Sequence, residues 1–415
     1  MGDNRPAATE PRRVLLLIPR ATYRAADFLA AASRLGLDTV IGSDGALPIG
    51  ARPLIRVEAD DLPGSVERIV RRSGPLAAVV AVDTPMLAVA AAVAERLGLP
   101  HNPIAAVRAT LDKTAQRRLW AASGVPQPAF RPIAVSDRRA VVSAAAEVGF
   151  PCVVKAVSLS GSRGILRADN PEAAAEAARC IRRVLAEAGR PEGEPLLIEG
   201  YVPGPEISID ALLADGVATV LAVFDKPEMP DGPTFEETML ICPPRLADDT
   251  LAAAVAVAER AARALGLRHG PIHAELRIDA RHGDERPLML ELAARSIGGL
   301  CARALRFVDE ATLEELVLLN ALGCRATARR EPGTAGVLML PVERAGVLYA
   351  IEGRAEAAAM PGITGLSITI PPGQVVHPLP EGDRYLGFIF GAGETRGDVE
   401  AALGAARQRL RVVIH

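Results

Sequence analysis

Aromatic side chains make up only 3% of this 415-residue chain, and no stretch interleaves them with basic residues. The formal net charge is -3 and the pI is near 6.2. Both features exclude the basic, stacking surface that a nucleic acid or an anionic membrane requires. Cysteine is sparse as well. Cys152, Cys180, Cys242, Cys301 and Cys324 stand apart with no C-x-x-C pair, so neither a zinc site nor a disulfide framework is suggested, and a reducing cytoplasm is the expected setting. No apolar run is long enough to span a bilayer. The short run Val14 to Ile18 behind Arg12-Arg13 stops at Pro19 and reads as a first buried strand, not as a signal peptide. Two glycine fingerprints are missing too: no G-x-G-x-x-G follows that strand, and no G-x-x-x-x-G-K-[ST] occurs.

What is present is a globular composition, 49% hydrophobic and 23% charged, with length for two to four compact units. The first hundred residues alternate: strand Val14 to Ile18, helix Ala25 to Leu35 stopped by Gly36, strand Asp38 to Ile41, strand Ala77 to Val82, then a helix through Glu95 and Leu97. Such alternation predicts a parallel sheet covered by helices. Asp83-Thr84 closes the last of these strands, where open sheets often meet ligands, but reads more simply as a helix cap. From Thr110 the character changes. Thr110 is expected to cap a helix whose apolar face holds Leu111, Ala115, Leu119 and Ala122 and which Gly124 ends. Lys113 then lies in the first turn, where the helix dipole disfavours a cation unless an anion binds nearby.

A strand-and-helix unit follows: Phe130 to Val135, a helix near Arg138 to Val148, the strand Cys152 to Lys155, and a helix introduced by Asn170-Pro171-Glu172 and stopped by Gly189. Within it, PCVVKAVSLSGSRGILR carries an apolar strand into Lys155 and then into a serine-glycine loop with Arg163. Backbone N–H groups, serine hydroxyls and a fixed ammonium are the ingredients of a phosphate cradle, although a plain connector after a strand has the same composition. The segment PLLIEGYV ends in Glu199-Gly200-Tyr201-Val202, an edge at which backbone groups can read adenine, and Glu206 beyond it could accept ribose hydroxyls.

The most informative pair of strands comes later. PIHAELRI and PLMLELAAR flank the turn ARHGDER and predict an antiparallel hairpin. Alternation places His273, Glu275 and Arg277 on one face of the first strand, and Glu291, Ala293 and Arg295 on one face of the second. Two acids among Leu, Ile and Met are costly unless neutralised, either by a divalent ion bridged to phosphate or by Arg277 or Arg295. The phosphate cradle in the same unit favours the ion. Past Arg295, Gly298 and Gly299 would let a second ligand approach the backbone closely.

Taken in order, LDK at Lys113, Lys155 with SLSGSRG, EGYVPGPE, and the acids of HAELRI and ELAAR resemble the ATP-grasp superfamily over roughly residues 1 to 325. The ending ELAARSIGG, the histidine of IHAELRI and FDKPEMPDGPTFEETMLICPPRL resemble its branch of L-amino acid ligases and dipeptide synthetases. The resemblance implies an α/β (α+β) ATP-grasp fold. Its parts would be an N-terminal parallel α/β domain over 1–110, an ATP-grasp domain over 111–325 with a lid at about 125–198 and an antiparallel core, and a C-terminal α+β domain over 326–415. It implies an ATP-dependent carboxylate-amine ligase working through an acyl phosphate with Mg2+ or Mn2+, on small molecules such as amino acids, in the cytoplasm, with a homodimer usual among relatives.

Residue by residue, Lys113 and Lys155 would bind the α and β phosphates, while Ser160, Gly161, Ser162 and Gly164 would close over the β and γ phosphates. Glu199, Tyr201 and Val202 would hold adenine, and Glu206 the ribose. Glu275 and Glu291 would hold magnesium. Arg295 would steady the γ-phosphoryl group and then the acyl phosphate, with Lys155 sharing that catalytic role. Arg295, Glu237, His273, Gly298 and Gly299 would line the amino-acid pocket. One departure stands out: where many relatives have E-x-N, this chain reads Glu291-Leu292-Ala293, without the asparagine ligand to a second ion. Bicarbonate-dependent carboxylation, ligation of a nucleotide precursor and a turnover-less nucleotide sensor are the alternatives. Beyond Gly323, strands at Val337 to Leu340, Leu366 to Ile370 and Tyr385 to Phe390 and a helix from Arg396 to Arg409 after Thr395 are expected.

Overall fold

Apolar runs buried on both faces build the first unit. Arg13–Leu17, Asp38–Ser43 and Ala78–Ala81 pair in parallel, with a further short strand, Leu54–Arg56, at the edge. The chain is seen in a computed structural model that describes residues 12–47, 53–134, 137–281, 283, 285–324 and 329–415. Val135, His282, Asp284 and the boundary expected between 325 and 326 therefore lie outside the described residues. The edge strand and the helix Leu62–Ser73 are additions to the sequence reading; the strand, at three residues, is too short for a periodic signal.

The region expected to form a lid contains a four-stranded antiparallel sheet, in the order Phe130–Ile133, Leu196–Gly200, Cys152–Ala156, Ile165–Ala168. The helices Arg138–Val148 and Pro171–Glu187 cover it and seal Val154, Ile181 and Ile198 completely. Asp137 and Asn170 cap these helices through their side chains, as N-cap chemistry favours.

The centre is an eight-stranded antiparallel sheet. Its order is Arg286–Ala293, Gly270–Asp279, Glu206–Ala214, Val217–Asp225, Met239–Cys242, Thr334–Leu340, Gly387–Gly393, Ile363–Ile368. Met239–Cys242 pairs directly with Thr334–Leu340, so one sheet runs across the expected boundary near residue 325. A three-stranded sheet and the helix Arg396–Arg409 complete the C-terminal region, the helix opening on a reciprocal Thr395–Asp398 capping box.

Two expectations around Lys113 need correction. Thr110 is the last residue of a helix, Ile104–Thr110, and its hydroxyl donates back to Val107 O. Asp112 is the cap of the next helix, Lys113–Ala122, accepting from the backbone of Thr114 and Ala115. That helix does not bury the face Leu111, Ala115, Leu119 and Ala122. Leu119 is 38% exposed, whereas Lys113, Gln116, Arg117 and Trp120 are buried. Apolar periodicity failed here because the helix presents its polar face to a cleft full of carboxylates.

Candidate active site

Three units meet at the cleft, each bringing one charged strand end or helix end. The hairpin has the predicted register, with Glu275 opposite Glu291 and a bulge immediately after Glu275. The second strand ends at Ala293, so Arg295 lies in the following turn and not on the strand face. Among the described residues neither acid forms a close ion pair with Arg277 or Arg295: Glu291 lies 3.2 Å from Lys113 Nζ, and Glu275 lies 3.6 Å from Lys226 Nζ. Arg277 instead donates to Glu206, at 2.8 Å, and to Val202 O, at 2.9 Å.

Lys113 starts its helix, and its ammonium donates to Leu159 O at 2.5 Å, at the root of the serine-glycine loop. The loop leaves the strand after Ala156 and returns through Gly164, whose φ is +65 and whose missing β-carbon would lie 3.1 Å from that of Ala156. Gly161 and Ser162 also take positive φ. Gly164 N donates to Pro380 O at 3.3 Å, so the loop touches the C-terminal region.

Lys155 Nζ lies 2.7 Å from Glu199 Oε2, and Arg117 Nε donates to Glu199 Oε1 at 2.5 Å. Burial alone would push the Glu199 carboxyl up, but Arg117 and Lys155 outweigh it and hold it down at about 2. Arg117 also donates to Met289 O and Leu290 O, locking the helix to the second hairpin strand. Tyr201 is buried, its hydroxyl donates to Asp231 at 2.7 Å, and its ring stacks on Phe235 with Arg167 above it.

Lys226 was not anticipated from the sequence, yet it is the hub of the site. Its ammonium bonds Glu206 at 2.7 Å and Glu237 more tightly still, with Glu275 beyond. Oxygens of Glu206, Glu237 and Glu275 lie within 4.8 Å of one another, the only such three-ligand cluster among the described residues. Burial disfavours the charged lysine, but the three acids raise its pKa well above the usual ammonium range. Glu237 is raised by burial and by Glu275 and Glu206, against the pull of Lys226. Burial also acts to raise Glu275, but Lys226, His273 and Arg295 together draw it below the usual carboxylate range.

His273 Nδ1 lies 3.1 Å from Asp210 and its Nε2 lies 3.4 Å from Glu275. Burial would discharge it, but Asp210 and then Glu275 raise it to about 9. A folded value above the ordinary 6.5 means that its contribution to stability is complete below pH 6.5 and fades as pH climbs to about 9. The denaturation midpoint of the wild type is therefore expected to fall over that interval more steeply than that of His273→Gln; parallel profiles would refute it.

Arg295 Nε donates to Thr84 Oγ1 at 2.9 Å and lies 3.6 Å from Asp83. The adjoining Gly298 packs beside its guanidinium, and Gly299, with φ +60, has Phe388 so near that a β-carbon would sit 2.8 Å from the ring. The site thus gathers the two lysines, the loop root, Glu199, Glu206, Glu237, His273, Glu275, Glu291 and Arg295 about one cleft. Glu275, Glu291 and Glu237 are the more reachable acids, their side chains 26%, 27% and 22% exposed, against 2% for Glu199 and 7% for Glu206.

Comparison with known proteins gives this geometry a context. Residues 148–304 match the ATP-grasp domain family, and residues 338–415 match L-amino acid ligase C-terminal domain 2. A D-alanine–D-alanine ligase of Gloeobacter violaceus is 33% identical over 224 residues, covering 50% of this chain and 67% of that one. The alanine–anticapsin ligase of Bacillus subtilis is 27% identical over 233 residues, covering 51% of this chain and 48% of the relative. The crystal structure of the L-amino acid ligase of Bacillus licheniformis superposes with a TM-score of 0.79 at 24% identity, over 98% of this chain and 100% of that one. The chain belongs to the ATP-grasp superfamily and is similar to its L-amino acid ligase branch.

Proposed function

We propose that this chain is an ATP-dependent ligase that joins the carboxylate of one amino acid, or a similar small molecule, to the amine of another, releasing ADP and phosphate. The carrying observation is the charge pairing within the cleft. Lys113 faces Glu291, Lys155 faces Glu199, and Lys226 faces Glu206, Glu237 and Glu275. A polyphosphate with a divalent ion exchanges partners with such a set at little net cost: phosphate oxygens take the ammonium groups, and the ion takes the carboxylates.

Lys113, Lys155 and the loop residues Ser160, Gly161, Ser162 and Gly164 would hold the phosphates. The edge at Glu199, Tyr201 and Val202 would hold adenine. Glu206 would hold the ribose, once released by Lys226 or Arg277. Glu275 and Glu291 fit a magnesium or manganese ion, being paired in register and accessible; such an ion would supply positive charge beside the transferred phosphoryl oxygens.

A carboxylate is a poor electrophile. Its oxygen attacks the γ-phosphorus of ATP, a P–O bond forms, the bond to the β-phosphate oxygen breaks, and ADP leaves. The amine nitrogen then attacks the acyl carbon, the C–O bond to phosphate breaks, and the nitrogen loses a proton. Lys155 and Arg295 offset the charge that gathers on the phosphoryl oxygens. His273, Glu237, Gly298 and Gly299 would hold the amino acids. The contact of Gly164 with Pro380 supports a lid that shuts against the C-terminal region and keeps water from the acyl phosphate. The cytoplasm suits the reaction, since all five cysteines are free and ATP is abundant there.

A phosphate-release screen over all amino-acid pairs, with mass spectrometry of the positives, tests the assignment. An amide of the summed mass less one water is expected. Phosphate release that needs bicarbonate would indicate a carboxylase instead. ATP binding without ADP formation for any substrate would indicate a sensor, the reading that Ala293 favours.

A further inference from the structure

Arg295 is held from outside its own domain. Its Nη1 returns to Ser296 O at 2.9 Å, but its Nε is taken by Thr84 Oγ1 at 2.9 Å, with Asp83 Oδ1 at 3.6 Å. Asp83 and Thr84 sit just past the carboxyl end of Ala78–Ala81, at the rim of the N-terminal parallel sheet. Both oxygens of Asp83 are fixed in turn: Oδ1 accepts Thr84 N at 2.8 Å, and Oδ2 accepts the Thr22 hydroxyl at 3.2 Å. The two residues after Arg295 are anchored as well. Ser296 Oγ accepts from the buried Arg24 at 2.5 Å, and Ile297 N donates to the buried Asp210 at 2.8 Å.

A guanidinium on a flexible stem loses about 2 kcal/mol of rotamer entropy when fixed, so its direction depends on what holds it. Here an acceptor on Nε and a carbonyl on Nη1 set the plane of the fork beside Gly298, where a β-carbon would lie 3.6 Å from Nη1 and 3.8 Å from Nη2.

We propose that Thr84 and Asp83 are positioning residues that aim Arg295 into the cleft, so that the N-terminal sheet governs how much of the activated carboxylate reaches the amine before water does. The inference rests on the ligase reading and on the role given there to Arg295. Loosening the guanidinium leaves the phosphates held by the lysines and the loop, but leaves the acyl phosphate less well held. ATP is then still cleaved, and part of the intermediate is lost by hydrolysis: water oxygen bonds to carbon or phosphorus, the anhydride C–O or P–O bond breaks, and carboxylate and phosphate are released.

Two variants separate this role from folding. Asn caps a helix as well as Asp does, so Asp83→Asn removes the charge and keeps the cap. Thr84→Val keeps the branched shape and removes the acceptor, while Thr84→Ser retains it. ADP and amide are measured together on the intact protein, alongside the KM for ATP and the melting temperature. Thr84→Val and Asp83→Asn should lower kcat for amide about tenfold, the equivalent of one lost hydrogen bond of about 1.4 kcal/mol. They should raise the ADP-to-amide ratio well above one and leave the KM for ATP near wild type, while Thr84→Ser, which keeps the acceptor, should behave like the wild type. A wild-type ratio and kcat in both variants would overturn the proposal and leave the ligase reading standing. A wild type that makes no amide from any pair would overturn both.

Discussion

Lys155→Ala is expected to cut substrate-dependent ADP release by about 10²- to 10³-fold, the range for losing one preorganised electrostatic contact, while melting close to the wild-type temperature. The two halves of this expectation come from different bonds to one acid. Glu199 is almost completely buried and would be costly to leave unpaired. Lys155 holds one of its oxygens, but Arg117 holds the other at 2.5 Å and is itself tied to Met289 O and Leu290 O. Removing the lysine therefore leaves a paired carboxylate, so the fold survives. What disappears is the ammonium at the mouth of the serine-glycine loop, which pairs with Glu199 and which a phosphate oxygen would claim. A coupled ADP assay and a thermal melt decide the matter. Near-normal turnover would show Lys155 to be a strand-end ion pair only, and a collapsed melting temperature would show it to be a structural partner of Glu199.

The contrast between Lys155 and Lys226 shows what a chain discloses before it folds. Lys155 could be singled out from the sequence because its neighbours, an apolar strand before it and a serine-glycine loop after it, have the composition of a phosphate cradle. The acids of the hairpin were legible for a similar reason: period-two alternation and a polar turn suffice to set Glu275 against Glu291. Lys226 has no such local signature. Its partners Glu206 and Glu237 are 20 and 11 positions away and meet it only once neighbouring strands and a loop converge. Arg117 was hidden for the opposite reason: the apolar pattern pointed to Leu119, and only the acid-lined cleft explains why the polar face turns inward. Asp83 looks like a cap and is one. Its second task, beside Arg295, spans 212 positions, a separation that no periodicity can show.

Lys226→Gln should carry the largest stability loss, about 3–5 kcal/mol at neutral pH, as expected when one member of a buried ionic group is removed. The loss should also depend on pH in a definite direction. Glu206 keeps Arg277 at 2.8 Å, and Glu275 keeps His273 at 3.4 Å. Glu237 is the acid stranded, since Lys226 is its only hydrogen-bond partner among the described residues. Its pKa is already raised by burial, and without the ammonium it rises further. A carboxyl whose folded pKa exceeds its unfolded value stabilises the fold by holding a proton, so the variant regains stability as pH falls through that raised value. Lys226 itself titrates well above the usual 10.5, so in the wild type its contribution is already complete across the neutral and acidic range and adds no such recovery. Urea midpoints for the two proteins should therefore draw together as pH is lowered and the stranded acid, its pKa raised by burial, takes up its proton. Adding Glu237→Gln to Lys226→Gln should restore much of the loss at pH 8, because the two buried neighbours then carry no unpaired charge. Parallel midpoint curves, or a double variant no more stable than the single one, would mean that Lys226 is held by packing and not by the acids around it.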